Sequence, residues 1–144
     1  MTIKKIMEKI GDAPYGVFRI LVGLLFTLHG AQKWGILGMG DGFPPAGFSS
    51  MFGVPVALAY AVYSIELVTG ICILLGIFTR SAAFLGALVM IGALAKVHLP
   101  ATFNPLAQGG GELPLLFLAA FLVLMMQGSR VWSLEKALMK SDVF

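Results

Sequence analysis

Four long apolar runs are the feature that most restricts how this chain can fold. They lie at about residues 14–34, 55–78, 81–99 and 113–127, and the last is the shortest. A helix needs roughly 20 apolar residues to cross a hydrocarbon core of about 30 Å. A chain in lipid must satisfy its own backbone polar groups, so each run is expected to be helical. The sequence therefore predicts an all-α membrane protein, a bundle of four transmembrane helices in which residues 1–144 form a single domain.

The composition agrees with a chain that lies in lipid. Hydrophobic residues make up 58% and charged residues 12% of the chain, whereas soluble domains average about 25% charged residues. The net charge of +3 comes from basic residues that flank the apolar runs, not from a stripe of basic and aromatic residues. We therefore expect contact with the lipid bilayer and exclude nucleic acid as a partner.

Proline marks the start of three predicted helices, because a first-turn residue has no intrahelical N–H bond to lose. These prolines are Pro14, Pro55 and Pro114. Only Thr79 and Arg80 separate the second and third helices, which predicts a tight antiparallel hairpin with Thr79 or Ser81 as the N-cap. The other two connections, residues 35–54 and 100–112, are long and rich in glycine and proline.

Basic residues are divided unequally between the two sides of the predicted bundle. Eight lie on the side of the chain ends, namely Lys4, Lys5, Lys9, Arg19, Arg80, Arg130, Lys136 and Lys140, and two, Lys33 and Lys96, lie on the other. Because cytoplasmic segments carry the excess of Lys and Arg, we expect a multi-pass protein of the inner (cytoplasmic) membrane with both termini cytoplasmic. Amphipathic patterns at residues 3–10 and 134–140 predict a short interfacial helix at each end.

Small residues recur at helical spacing within the apolar runs. Gly16, Gly23 and Gly30 follow one another every seven positions in the first helix, and Gly86 and Gly92 lie in the third. Small residues allow helix backbones to approach closely in membranes. The pattern predicts close helix contacts at these glycines.

Ionisable side chains within the predicted helices define the candidate site. Such a residue costs about 2.5–3.5 kcal/mol at a helix centre on insertion scales, so it needs a partner or a polar cavity. Glu66 lies near the middle of the second helix, while His29 and Lys33 share one face near the outer end of the first. We expect these three to be the catalytic residues. The expected ligand-binding residues are Arg19, Lys96, His98 and Glu112.

Several alternatives stay open for these residues. Glu66 could be structural, either protonated or ion-paired with Lys33, Lys96 or Arg19, and Lys33 could be a snorkelling anchor. Lys96 and His98 are two positions apart and are expected to point in different directions, so the site residues should not all share one pocket. The aromatic residues of the outer loops could cover the mouth of the bundle or rest at the headgroup interface.

The same residues bear on cofactors. An aromatic lid above a charged cavity suits a quinone, although the identity of any cofactor stays open. His29 and His98 would permit haem ligation, but no CxxCH motif is present and Lys96 would crowd the space, so haem is disfavoured. No metal-binding spacing such as HExxH occurs, and no metal site is predicted. Cys72, the only cysteine, is expected to pack within the helices.

Five segments resemble the DoxX family of membrane proteins. They are RILVGLLFTLHGAQKW from Arg19 to Trp34, ELVTGICILLGIFTR from Glu66 to Arg80, KVHLP from Lys96 to Pro100, GGGELP from Gly109 to Pro114, and SRVWSLEKAL from Ser129 to Leu138. The resemblance spans nearly the whole chain and implies a four-helix bacterial membrane protein. Members of this family are described as the membrane subunit of a thiosulfate:quinone oxidoreductase and as partners of detoxifying enzymes in oxidative-stress complexes.

The leading interpretation is an integral membrane subunit of a redox system. The residues suggest interaction with a quinone, and the resemblance links it to sulfur oxidation or oxidative-stress defence. A protein partner or a bound cofactor would supply electrons, because the sequence carries no recognised redox centre. One alternative is a small-solute or ion transporter, which would need oligomers or a very narrow route. Another is a non-catalytic membrane scaffold that binds a partner protein; homo-oligomerisation is left open.

Overall fold

Helices are the regular elements of the part of the chain that the structure describes. A computed structural model describes residues 2, 3, 6, 10–38 and 42–139. The helices are α1 (Ala13–Lys33), α2 (Pro45–Phe52), α3 (Val56–Leu75), α4 (Thr79–Ala93), α5 (Glu112–Gln127) and α6 (Leu134–Met139), with a short 3-10 turn at Ile36–Gly38. Helix α4 continues through a π-helical turn, Leu94–His98, and a last α-helical turn, Leu99–Ala101.

Three of the helical stretches are long and apolar enough to cross a membrane. They are Ala13–Lys33, Val56–Leu75 and Thr79–Ala101, while α5 is apolar but has only 16 residues. With α5 they form a four-helix membrane bundle, which confirms the predicted fold class. We call the end at which α1 and α4 begin the terminal end, and the opposite end, which carries the two long connections, the loop end.

The turn between α3 and α4 is as tight as predicted, but its cap differs from the prediction. Helix α3 ends at Leu75, Gly76 follows with a left-handed φ of 69°, and Phe78 has a φ of 49°. Glycine favours this backbone region because it has no Cβ. Helix α4 begins at Thr79, earlier than the predicted Ser81, and Phe78 occupies the cap position.

Glycines bring α1 against the backbone of α3. A Cβ added at Gly23 would collide with the backbone of Leu74, and one at Gly30 would lie 2.7 Å from the backbone nitrogen of Leu67. Gly16 packs in the same way against the side chain of Trp132. These contacts confirm the prediction for the three glycines of the first helix.

Helix α4 makes a second close pair with α5. An added Cβ at Gly86 would lie 2.8 Å from the ring of Phe121, which confirms the predicted contact there. The prediction for Gly92 is wrong, because an added Cβ would meet nothing within 4 Å among the described residues. A cavity, rather than a neighbouring helix, lies opposite this part of α4.

Arg19 holds three segments together at the terminal end. Its fully buried guanidinium donates to the carbonyls of Ile73 (2.6 Å) and Leu74 (2.9 Å) at the end of α3. It also donates to the carbonyls of Val131 (3.2 Å) and Trp132 (2.8 Å), just before α6. The last carbonyls of a helix lack intrahelical partners, and the helix dipole favours a cation there.

Arg80 repeats this arrangement in the other helix pair. Its guanidinium donates to the carbonyls of Met125 (3.0 Å) and Met126 (2.7 Å) in the last turn of α5. Each of the two antiparallel helix pairs is thus fastened at the terminal end by an arginine on one helix and carbonyls at the end of the other.

The predicted interfacial helices lie only partly within the described residues. Ile3, Ile6 and Ile10 are helical and exposed. Lys4, Lys5, Met7, Glu8 and Lys9 lie outside the described residues, as does Lys140. At the other end α6 forms where a short helix is predicted, and its Leu134 and Leu138 are exposed.

Candidate ligand-binding site

A cavity of about 610 Å³ lies at the loop end, bordered by α1, α2, α3, α4 and α5. This volume lies within the range of small-molecule pockets, about 300–1,000 Å³. Most of its wall is apolar. Its ionisable and hydroxyl-bearing lining residues are His29, Lys33, Tyr63, Glu66, Lys96 and His98.

An ion pair across two helices is the polar centre of this cavity. The Lys33 ammonium, at the end of α1, donates to Oε1 of Glu66 on α3 at 2.6 Å. Glu66 is buried, with a side-chain exposure of 1%, while that of Lys33 is 23%. The ammonium also lies over the ring of Tyr63, 5.3 Å from its centroid. Of the three cations considered as ion-pair partners of Glu66, Lys33 is therefore the one that forms the pair.

Two buried polar atoms of the lining residues have no hydrogen-bond partner among the described residues. They are Oε2 of Glu66 and the hydroxyl of Tyr63. A buried polar group left without a partner costs about 1–3 kcal/mol, so each of these two atoms calls for an explanation, and a bound ligand or water would supply one. The carboxylate oxygen accepts a hydrogen bond and the hydroxyl can donate one. The site thus offers one acceptor and one donor side by side on α3.

Tyr63 is the site residue that sequence reasoning missed. It is fully buried and three positions before Glu66, on the same face of α3. A search for polar residues one helical turn away from the mid-membrane carboxylate would have found it.

Aromatic rings form the floor of the cavity. The His29 ring stacks on Phe26 with centroids 6.4 Å apart and lies 6.5 Å from Phe117. Phe26 in turn contacts Phe117 (5.0 Å) and the buried Phe121 (4.8 Å). This aromatic layer separates the cavity from the terminal end of the bundle.

Helix α2 and the residues before it cover the loop end of the cavity. Their lining residues are Phe43, Phe48, Met51 and Phe52. Phe48 packs edge-on against Tyr63 at 5.7 Å, which fixes α2 to α3. Of the two arrangements considered for the loop aromatics, these residues adopt the lid, whereas Phe103 is 88% exposed.

Lys96 and His98 both line the cavity, although they are two positions apart on the helix. Val97, between them, lines it as well, because the cavity wraps around this turn of the helix rather than meeting one face. Nδ1–H of His98 donates to the Gly109 carbonyl at 2.9 Å, which ties the helix to the following loop.

Arg19 and Glu112 do not line the cavity. Arg19 is engaged at the terminal end with carbonyls. Glu112 is the first residue of α5, where a negative charge suits the helix dipole, and its backbone N–H donates to the Pro105 carbonyl at 3.1 Å. The cavity therefore brings together His29, Lys33, Glu66, Lys96 and His98 of the seven predicted residues.

The bundle and its cavity define a multi-pass membrane protein with an internal cavity lined by polar and aromatic residues. The chain belongs to the DoxX family, whose profile matches residues 16–99.

Similar proteins occur in several bacteria. The chain is 32% identical to the "Putative oxidoreductase CatD" of Bacillus subtilis, over 93% of each chain. It is 34% identical to an uncharacterized protein of Haemophilus influenzae, over 93% of this chain and 97% of that one. An uncharacterized membrane protein of Mycobacterium tuberculosis is 32% identical, over 94% of this chain and 88% of that one. No solved structure gave a significant match.

Proposed function

We propose that the protein is the integral membrane subunit of a redox system and that it binds a quinone in the loop-end cavity. The observation that carries this proposal is the pair of unpartnered atoms on Tyr63 and Glu66. The Tyr63 hydroxyl can donate to a quinone carbonyl, and the free Glu66 oxygen can accept from a quinol hydroxyl. Aromatic and aliphatic walls suit a flat ring.

The remaining polar groups support proton exchange with such a ligand. Reduction of a quinone to a quinol takes up two electrons and two protons. In this proposal His29 and the Lys33–Glu66 pair hold protons beside the ring, and a partner protein supplies the electrons. The name of the Bacillus subtilis relative supports a redox role. Cys72 packs against the core and does not line the cavity, so no sulfur transfer is assigned to it.

We also propose that the protein lies in the inner membrane with both termini cytoplasmic. The described basic residues at the terminal end are Arg19, Arg80, Arg130 and Lys136, and those at the loop end are Lys33 and Lys96. This bias supports a cytoplasmic terminal end. A C-terminal reporter that is active only in the cytoplasm should therefore be active, and a periplasmic reporter at the same position should be silent.

The aromatic layer of Phe26, Phe117 and Phe121 favours a closed binding cavity over a route along the bundle. For this reason we do not propose transport by a single chain. Solute flux in liposomes that contain only this protein would contradict that choice. If the protein is a scaffold instead, replacing Glu66 or Tyr63 should not change quinone binding.

Quinone binding is expected to depend on the two unpartnered atoms. Tyr63→Phe should weaken quinone binding by about fivefold, the effect of roughly one lost hydrogen bond. Glu66→Gln should weaken quinol binding by about tenfold or more, because a bond to a carboxylate is stronger. Trp34, whose ring centroid lies 5.9 Å from that of Tyr63, can report binding by fluorescence quenching in nanodiscs when Trp132 is replaced by Phe.

Two variants serve as controls for this titration. The probe is a benzoquinone with one isoprene unit, and its quinol is measured by displacement of the quinone. Tyr60→Phe is the matched control, because Tyr60 also contacts Trp34 but does not line the cavity. Asp12→Asn removes a carboxylate at the other end of the bundle. Absence of saturable quenching in the wild type would sink the quinone proposal.

A further inference from the structure

The loop-end cavity is closed on most sides but not on all of them. The aromatic layer forms its floor and α2 forms its lid. Helix α1 meets α3 backbone to backbone at Gly30, and Gly86 packs against Phe121 where α4 meets α5. Phe26 and Phe117 fill the space between α1 and α5. These contacts do not cover the gap between α3 and α4.

The connection between these two helices explains why a gap forms there. They are joined by the tight turn at Gly76–Phe78, so they are close at the terminal end and can separate only toward the loop end. Leu58 of α3 and Leu85 and Leu88 of α4 line the cavity and are nevertheless 44–50% exposed. Gly92 lines it too, and the space beyond its Cα is open. We call these four residues the lateral gap.

The lateral gap lies within membrane-spanning helices, so its surroundings are lipid. Leu85, Leu88, Gly92 and Lys96 follow at i, i+3, i+7 and i+11, which forms one stripe along α4. The stripe is apolar until Lys96, near the loop end, where a long basic side chain can reach lipid headgroups. An apolar chain can therefore lie in the gap without placing a polar group in the hydrocarbon core.

We propose that the lateral gap is the entrance to the site from the bilayer and that the ligand is a long-chain amphiphile. Its polar ring lies beside Glu66 and Tyr63, and its hydrocarbon tail passes between α3 and α4 into the lipid. This inference rests on the proposed function, since it specifies the ligand as a lipid-tailed quinone rather than a water-soluble one.

Closing the lateral gap should weaken binding of a long-tailed quinone much more than binding of a short-tailed one. Gly92→Leu places a branched side chain where the tail passes, without an initial clash, because a Cβ at this position meets open space. In nanodiscs we expect binding of a decyl-tailed quinone to weaken at least about tenfold and binding of the one-isoprene probe to stay within about threefold. The matched control is Ala61→Leu, which adds three of the same four side-chain carbons to an exposed face of α3 outside the cavity lining.

A second measurement uses the wild-type protein and a decyl-tailed quinone that carries a diazirine on the part of its tail nearest the ring. Crosslinks are expected at Leu58, Leu85 or Leu88. Crosslinks in the lid, residues 43–52, would overturn the lateral entrance, as would equal binding of both probes by Gly92→Leu and wild type. In both cases the quinone site itself would stand. If the wild type binds neither probe, the proposed function and this inference fall together.

Discussion

Arg19→Met is expected to lower the free energy of unfolding by at least about 3 kcal/mol, since bonds from a charged group contribute about 1.5–3 kcal/mol each. The guanidinium joins α1 to the last carbonyls of α3 and to the segment before α6. Methionine fills similar space but donates nothing, so four carbonyls lose a donor and three segments lose a common tie. Thermal unfolding in a mild detergent, monitored by size-exclusion chromatography, should give a much lower midpoint temperature for the variant than for the wild type.

Two further variants make this result specific. Arg19→Lys keeps the charge but cannot span both helix ends with a planar fork, so it should recover only part of the loss. Arg130→Met is the matched control, because the Arg130 side chain is 41% exposed, pairs with exposed Asp12 at 3.2 Å and lies over the Tyr15 ring. Such surface pairs contribute about 0–1 kcal/mol. Equal midpoints for Arg19→Met and Arg130→Met would contradict the role given to Arg19.

Lys33→Met is expected to destabilise the protein by about 2–3 kcal/mol, because it leaves a buried carboxylate without its cation. Loss of one partner of a buried pair typically costs more than this, but Lys33 is 23% exposed, so water screens part of the interaction. Unfolding in dodecyl maltoside titrated with SDS, with helicity as the signal, measures the difference in free energy.

The double variant Lys33→Met/Glu66→Gln tests the cause of that loss. Once the carboxylate is neutral there is no uncompensated charge, so more than half of the lost stability should return. If the double variant is as unstable as the sum of the single ones, the ion pair is not what makes Lys33 important, and the contact of its ammonium with the Tyr63 ring becomes the better explanation.

The sequence predicts the four long helices well because their signals are local. Apolar runs of bilayer length and first-turn prolines such as Pro14 need no knowledge of the tertiary structure. Helix α2 was missed because it has eight residues and its start and end signals, Pro45 and the left-handed Gly53, occur equally in loops.

The site was harder to predict because it depends on how the helices are aligned with one another. Three cations were reasonable partners for Glu66, and only the packing of Gly30 against Leu67 brings the end of α1, and thus Lys33, level with it. Gly86 and Gly92 give a second example. Both lie in the same apolar helix and the sequence predicts a helix contact for both, but Gly86 faces a helix and Gly92 faces the cavity.

The distant partners of Arg19 also set an order of events during synthesis. Its carbonyl acceptors lie 54 and 55 residues later on α3, and 112 and 113 residues later at Val131 and Trp132. Chains are made at about 5–20 residues per second, so α1 enters the membrane seconds before the last acceptors exist. Until then the Nη2 side of the guanidinium must be solvated by water or headgroups at the membrane surface. The bonds that join Arg19 to the segment before α6 can therefore form only after the ribosome has made Trp132, so the terminal end is completed late in assembly.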